Sequence, residues 1–301
     1  MSSYMYQYRR AVGAVRRRPD SSPWRGAFRR LLRNRSAILG FAILMVLVGC
    51  ALLAPWLAPS SYDRTNLPYG ARGPTFSHPF GTDELGRDLL TRVLYGARIS
   101  FAVGLLATLV SLTIGVSYGS VAGLAGGRVD HLMMRLVDIL YGLPFMFFVI
   151  ILMVIFGRSI LNLFVALGAV QWLTMARIVR GQVLTLKARE FVLSAQAVGA
   201  SPWRLLVRHV LPNAVGPIVV YTTLTIPAVM LEEAFLSFLG LGVQPPMASW
   251  GSLASEGAAA MESYPWLILF PGIALTTTLL SLNFLGDGLR DALDPQVTSP
   301  R

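Results

Sequence analysis

The 301-residue chain is 54% hydrophobic and 14% charged, with a mean hydropathy of +0.59. Soluble domains carry about 25% charged residues, so the composition excludes an ordinary soluble fold and points to a membrane protein. The net charge of +11 does not signal nucleic acid. Ten arginines against one acid, Asp20, place +9 of it before residue 36, where the positive-inside rule expects a cytoplasmic flank.

Residues 1–37 form this basic N-terminus. Within it, Ser22-Pro23 precede Trp24, Phe28, Leu31 and Leu32 at helical spacing, while Arg25, Arg29, Arg30 and Arg33 fill the other faces. The pattern predicts an amphipathic helix in the inner interface, its arginines near anionic membrane lipid. Asn34-Arg35-Ser36 marks a break before the first span, the alternative being one helix continuing into it. The first apolar run begins too late for a signal peptide and lacks a small-residue cleavage site.

A hydrocarbon core about 30 Å thick needs about 20 helical residues. Six runs qualify: 38–57, 99–124, 137–156, 160–176, 214–231 and 264–285, the fourth being the weakest. Gly104, Gly115, Pro144, Pro227 and Pro271 lie inside them, which neighbouring membrane helices tolerate. Residues 58–98 form an extracytoplasmic segment between the first two spans, loop-like in its first half. In its second half Thr82 or Asp83 is positioned to cap a helix bearing Leu89, Leu90, Val93 and Leu94. Residues 99–286 read as the transmembrane core, with a cytoplasmic loop at 177–213 and a cytoplasmic tail at 287–301. Cys50 is the single cysteine, which excludes an intrachain disulfide, and the histidines at 78, 131 and 209 are scattered.

Charge bias orients the chain. The loop at 177–213 carries Arg177, Arg180, Lys187, Arg189, Arg204 and Arg208 against Glu190, and is expected inside. Segment 232–262 carries Glu232, Glu233, Glu256 and Glu262 with no lysine or arginine, and is expected outside. Counting spans from an inside N-terminus agrees with both and places the C-terminus inside.

The inside loop contains EFVLSAQAVGASPWRLLVRHVLPN, residues 190–213. Helix formers run from 191 to 198, Gly199 breaks them, and an amphipathic run at 202–210 ends at Leu211-Pro212. That order describes a docking element on a membrane face. The chain has no GxxxxGK[ST] phosphate loop, since its only lysine, Lys187, follows Leu186. No carboxylate pair, Ser/His/Asp set or metal-ligand spacing stands out. Energy for any driven process therefore comes from another chain or an ion gradient.

Residues 190–212 resemble the cytoplasmic EAA loop of binding-protein-dependent ABC importer permeases of the type I fold. Ser194 and Ala195 hold the two alanine places, Gly199 the glycine and Leu211-Pro212 the end, while Leu193 occupies the glutamate place. Three further stretches are similar to the C-type permease subunit of the dipeptide, oligopeptide and nickel branch. They are HPFGTDELGRDLLTRVLYGARIS (78–100), LSFLGLGVQPPMASWG (236–251) and NFLGDGLRDALDP (283–295).

The resemblance implies an all-α integral membrane protein of six transmembrane helices in the bacterial cytoplasmic membrane. It implies a homologous B-type permease partner, two cytoplasmic ABC ATPases and an extracytoplasmic peptide- or solute-binding protein. No catalytic, cofactor or metal site is expected in this chain, ATP and magnesium being held by the ATPases. The coupling residues would be Glu190, Phe191, Ser194, Ala195, Ala197, Val198, Gly199, Leu211 and Pro212. The cargo would be a di- or oligopeptide, or a nickel chelate, opine or glutathione.

Other positions carry two readings each. Asp138 lines the path or pairs with Arg135 or Arg128 at the interface. Glu232 and Glu233, at the outer end of the fifth span, face the translocation cavity and attract a peptide N-terminus, or sit in water at the outer interface. Gly240 and Gly242, with Pro245-Pro246, shape an irregular segment at the outer mouth. Asp287, Arg290, Asp291 and Asp294 form a charge-paired helix end. A secondary transporter is the rival reading, but it would favour ionisable residues within the spans and an internal repeat. A membrane enzyme would need a reactive cluster.

Overall fold

The computed structural model describes residues 23–293. Helix α1 (Pro23–Leu31) starts on a proline, whose missing N–H costs nothing in a first turn. The chain turns at 32–34, where the Asn34 side chain accepts the Ala37 N–H at 3.2 Å and caps α2 (Arg35–Leu52). The amphipathic helix and the first span are therefore separate elements. A short α3 (Ala54–Leu57) leads into irregular chain, and then α4 (Leu89–Ala125) begins. Next come α5 (Gly127–Tyr141), α6 (Phe145–Phe156), α7 (Ile160–Lys187) and α8 (Glu190–Ala197). Helix α9 (Pro202–Leu205) passes through a π-turn (Leu206–Val210) into α10 (Leu211–Phe238), followed by α11 (Trp250–Ala259) and α12 (Trp266–Leu293). Among the described residues the β structure is one isolated bridge, Thr82 to Asp88.

Among the described residues five helical units are long and apolar enough to span a bilayer: α2, α4, α7, the run Pro202–Phe238 and α12. The sixth candidate is a bent pair. Helices α5 and α6 meet at 86° across Gly142-Leu143-Pro144, because Pro144 offers no N–H and pushes Leu143 out of helical geometry. The run 137–156 expected as one span is thus two arms.

Three other expectations shift. The second span starts at Leu89 rather than 99, and its cap is Asp88, which accepts the Thr91 N–H at 2.7 Å, rather than Thr82 or Asp83. Leu211-Pro212 ends no helix: the Leu211 N–H reaches back to Leu206 O, and this wider turn accommodates the proline so that the helix continues. The fifth span also runs on to Phe238, which puts Glu232 and Glu233 inside it.

The central packing is α4 along α7. Gly115, Gly119 and Gly123 recur every fourth residue and present bare backbone to Met175, Ala176, Val179 and Val183, all fully buried. A Cβ on Gly115 would sit 2.5 Å from that of Met175, and one on Gly123 2.8 Å from that of Val183. Across the seam, a Cβ on Gly168 would lie 2.6 Å from that of Val110. Such small-residue stripes let membrane helices approach closely enough for dispersion and backbone contact to replace the missing hydrophobic drive. At one end Arg30 donates twice to Ala292 O, at 2.9 and 2.7 Å, tying α1 to the last carbonyls of α12.

Replacing Gly119 by leucine is expected to lower stability by about 1–3 kcal/mol through overpacking, read as thermal unfolding of the purified protein in detergent. Gly181 on α7 has open space around it, and its alanine variant should unfold no earlier than the parent.

Candidate functional site

The α8 loop joins α7 to α10 at one end of the bundle. Val192 is 1% exposed and packs with Leu205, Leu206 and Val210, which fixes α8 on the bundle. Its C-terminus is closed by Gly199 N–H on Gln196 O (2.9 Å) and Ala200 N–H on Ala195 O (3.1 Å). Gly199 has φ +90 with nothing near its missing Cβ, so glycine is required here for conformation and not for close approach. Ser201 then caps α9 through the Arg204 N–H.

With Val192 turned inward, the rest of α8 faces out. Glu190, Ser194 and Ala197 are exposed and Ala195 is half-buried. Phe191 (43% exposed), Leu193 (51%), Val198 (90%) and Trp203 (66%) are uncovered apolar side chains at this end. Pro212 is exposed and Leu211 partly packed, both within continuous helix. Trp203, straight after Pro202 in the first turn of α9, is an exposed apolar residue that the sequence pattern does not single out.

Ion pairs brace this end. Arg180 on α7 grips Asp130 on α5 as a fork, at 2.5 and 2.6 Å. Lys187 donates to Leu124 O at the end of α4, 2.7 Å. Asp138 pairs with Arg177 of α7 at 2.7 Å, not with Arg135 or Arg128, and Arg177 stacks over Tyr141 at 4.2 Å. Helical spacing pointed to its own element, whereas the partner comes from the neighbour. Asp287, Arg290 and Asp291 end α12, and Asp294 lies outside the described residues.

The opposite end is built from the stretch 78–100. Asp83, almost fully buried, accepts the N–H groups of Leu85 and Arg87, Arg87 Nε at 2.7 Å and Arg92 Nη1 at 2.9 Å. Arg92 also reaches Glu256 on α11 at 2.7 Å, while Asp88 holds His78 Nδ1 at 2.7 Å. Trp250 Nε1–H donates to Val93 O, and Trp266 Nε1–H to Thr82 O. The motif is a polar staple joining the loop, α4, α11 and α12.

The stretch 236–251 wraps Glu233. Gly240 (φ +71) closes α10, with Leu241 N–H on Leu236 O, and Gly242 lies against Ser237. Ser249 caps α11 and donates to Glu233 Oε1 at 2.6 Å, and Ser237 donates to the same oxygen at 2.8 Å. Glu232 instead turns to Gln171 and a cavity of about 310 Å³.

The fold is a bundle of helices long enough to cross a membrane, with a basic loop that leaves apolar side chains uncovered at one end and a polar staple at the other. Residues 115–299 match the family described as binding-protein-dependent transport system inner membrane component. Residues 22–75 match the N-terminal TM domain of oligopeptide transport permease C. The chain belongs to the binding-protein-dependent permease family. It is 51% identical to the oligopeptide transport system permease protein OppC of Escherichia coli (strain K12), over 91% of this chain and 92% of that one. It is 48% identical to the dipeptide transport system permease protein DppC of Bacillus subtilis (strain 168), covering 93% and 88%. A glutathione transport system permease protein, GsiD of Pectobacterium atrosepticum, is 39% identical over 95% of each chain.

Asp83→Ala should leave Arg92 buried without its inner partner and destabilise the protein by about 3–5 kcal/mol, measured by thermal unfolding in detergent.

Proposed function

We propose that this permease carries di- or oligopeptides inward, pairs with a B-type permease, and is driven by two cytoplasmic ABC ATPases fed by an extracytoplasmic binding protein. The peptide cargo is supported by the names of its relatives, most of which transport oligopeptides or dipeptides. The orientation is supported by charge: Arg128, Arg135, Arg177, Arg180, Lys187, Arg189, Arg204 and Arg208 cluster toward the α8 end, so that end is cytoplasmic with both termini. Chemistry resides in the partner chains, ATP and magnesium with the ATPases.

The observation that carries the coupling role is the exposure of four apolar side chains, Phe191, Leu193, Val198 and Trp203, on and just after a helix pinned from behind by Val192. Uncovered apolar clusters on a basic, water-facing end mark protein-interaction sites. Ser194 and Ala197 on the same helix are small enough for close approach. A pull on α8 reaches the membrane directly, because Pro202–Phe238 is one helical run from the loop to Glu232 and Glu233. ATPase closure would move that lever and alternate access to the path.

Reconstituted with its companion chains, the importer should take up radiolabelled trialanine only with ATP. Uptake by this chain alone on a proton gradient would sink the proposal in favour of a secondary transporter. Gly199→Val should abolish ATP-driven uptake while membrane insertion persists, since valine is strained at φ +90. Ser194→Cys should crosslink to an ATPase cysteine in the assembled complex. Silence at every position from 191 to 198 would contradict the docking role.

A further inference from the structure

Glu232 and Glu233 are neighbours on α10, about 100° apart around the helix, and the fold treats them differently. Glu233, 1% exposed, is held by Ser237 and Ser249. Glu232 accepts one bond, from Gln171 Nε2 at 2.5 Å, and its Oε2 is shut off from solvent with no hydrogen-bond partner. A buried polar oxygen left unpaired inside a membrane span is costly, and such residues mark substrate paths.

That carboxyl lines the cavity of about 310 Å³ together with Tyr141, Phe145, Phe148, Gln171 and Thr174. Among its lining residues there is no lysine or arginine. The nearby Arg177, stacked on Tyr141, is already matched by Asp138. One carboxyl, one amide, two hydroxyls and aromatic faces form a receptor for a primary ammonium, which takes a charge-assisted hydrogen bond and cation–π contact. The volume is at the lower end of ligand pockets, about 300–1,000 Å³, so it suits one terminal residue and not a whole peptide.

We propose that this cavity is a binding station on the translocation path, where Glu232 receives the amino terminus of the peptide and Gln171 orients the carboxyl. The assignment rests on the peptide-importer reading.

The test places a reporter thiol in the cavity, Thr174→Cys, in a Cys50→Ala background of the complete complex in proteoliposomes. Mass spectrometry of this chain follows labelling by aminoethyl methanethiosulfonate, a primary ammonium, and by its sulfonatoethyl counterpart, an anion. Both are applied without nucleotide and after vanadate trapping. Relative to the ratio for free cysteine, the ammonium reagent should be favoured about tenfold, the scale of one unit charge a few ångströms away, and Glu232→Gln should remove that preference. Equal rates beside an intact Glu232, or a preference that survives Glu232→Gln, would overturn the station. So would failure of both reagents to reach position 174 in either state while ATP-driven trialanine uptake by the parent complex is intact. Loss of uptake by the parent complex would instead strike the importer reading itself.

Discussion

The structure depends on one close contact, the glycine seam between α4 and α7. In lipid, burying leucine against leucine gains little, because acyl chains are equally apolar. What remains is distance: bare backbone at Gly115, Gly119 and Gly123 lets α7 lie in a groove that any side chain would fill. This pair then fixes the rest. Helix α7 positions Arg177 and Arg180 to hold the α5 arm of the broken span, and Gln171 to meet α10. Helix α4 carries Arg92 and Ser100 to the α11 staple, where the Ser100 hydroxyl accepts the Trp250 N–H at 2.9 Å.

The two ends of the bundle solve different problems. The α11 end satisfies its charges internally: Asp83, Arg92, Asp88 and Glu233 all have partners within the chain. Such networks rigidify, since breaking one member strands the others. The α8 end leaves Phe191, Leu193, Val198 and Trp203 uncovered, and α8 itself is closed by the positive-φ Gly199. One end is tied together by its own charges, and the other leaves apolar side chains exposed. The uninterrupted helix from Pro202 to Phe238 connects them.

Much of this was legible in the sequence. Apolar runs located the spans, and Gly199 announced the turn because few other residues adopt its φ. What the sequence hid was direction and choice. Both arms of 137–156 are apolar, so hydropathy cannot report that they meet at 86°. Thr82, Asp83 and Asp88 are all good caps; the winner is Asp88 because Asp83 has two arginines to satisfy. Pro212 reads as a stop unless the preceding turn widens, which local sequence does not disclose. The adjacent glutamates are indistinguishable until the return of Ser249, sixteen residues on, claims one of them.

For the coupling role proposed for α8, Leu193 changes the kind of contact on offer and not the helix that offers it. A glutamate there would offer a directed contact, screened by salt and dependent on an exact donor. Leucine, about half exposed, offers apolar area instead. Apolar burial is non-directional and tolerates small changes of angle between docked surfaces. A joint of the kind proposed, closed while the helix behind it tilts, would benefit from that tolerance. Orientation can then be left to the rigid parts, Val192 packed beneath α8 and Gly199 at its end, so that the grip and the geometry are supplied by different residues.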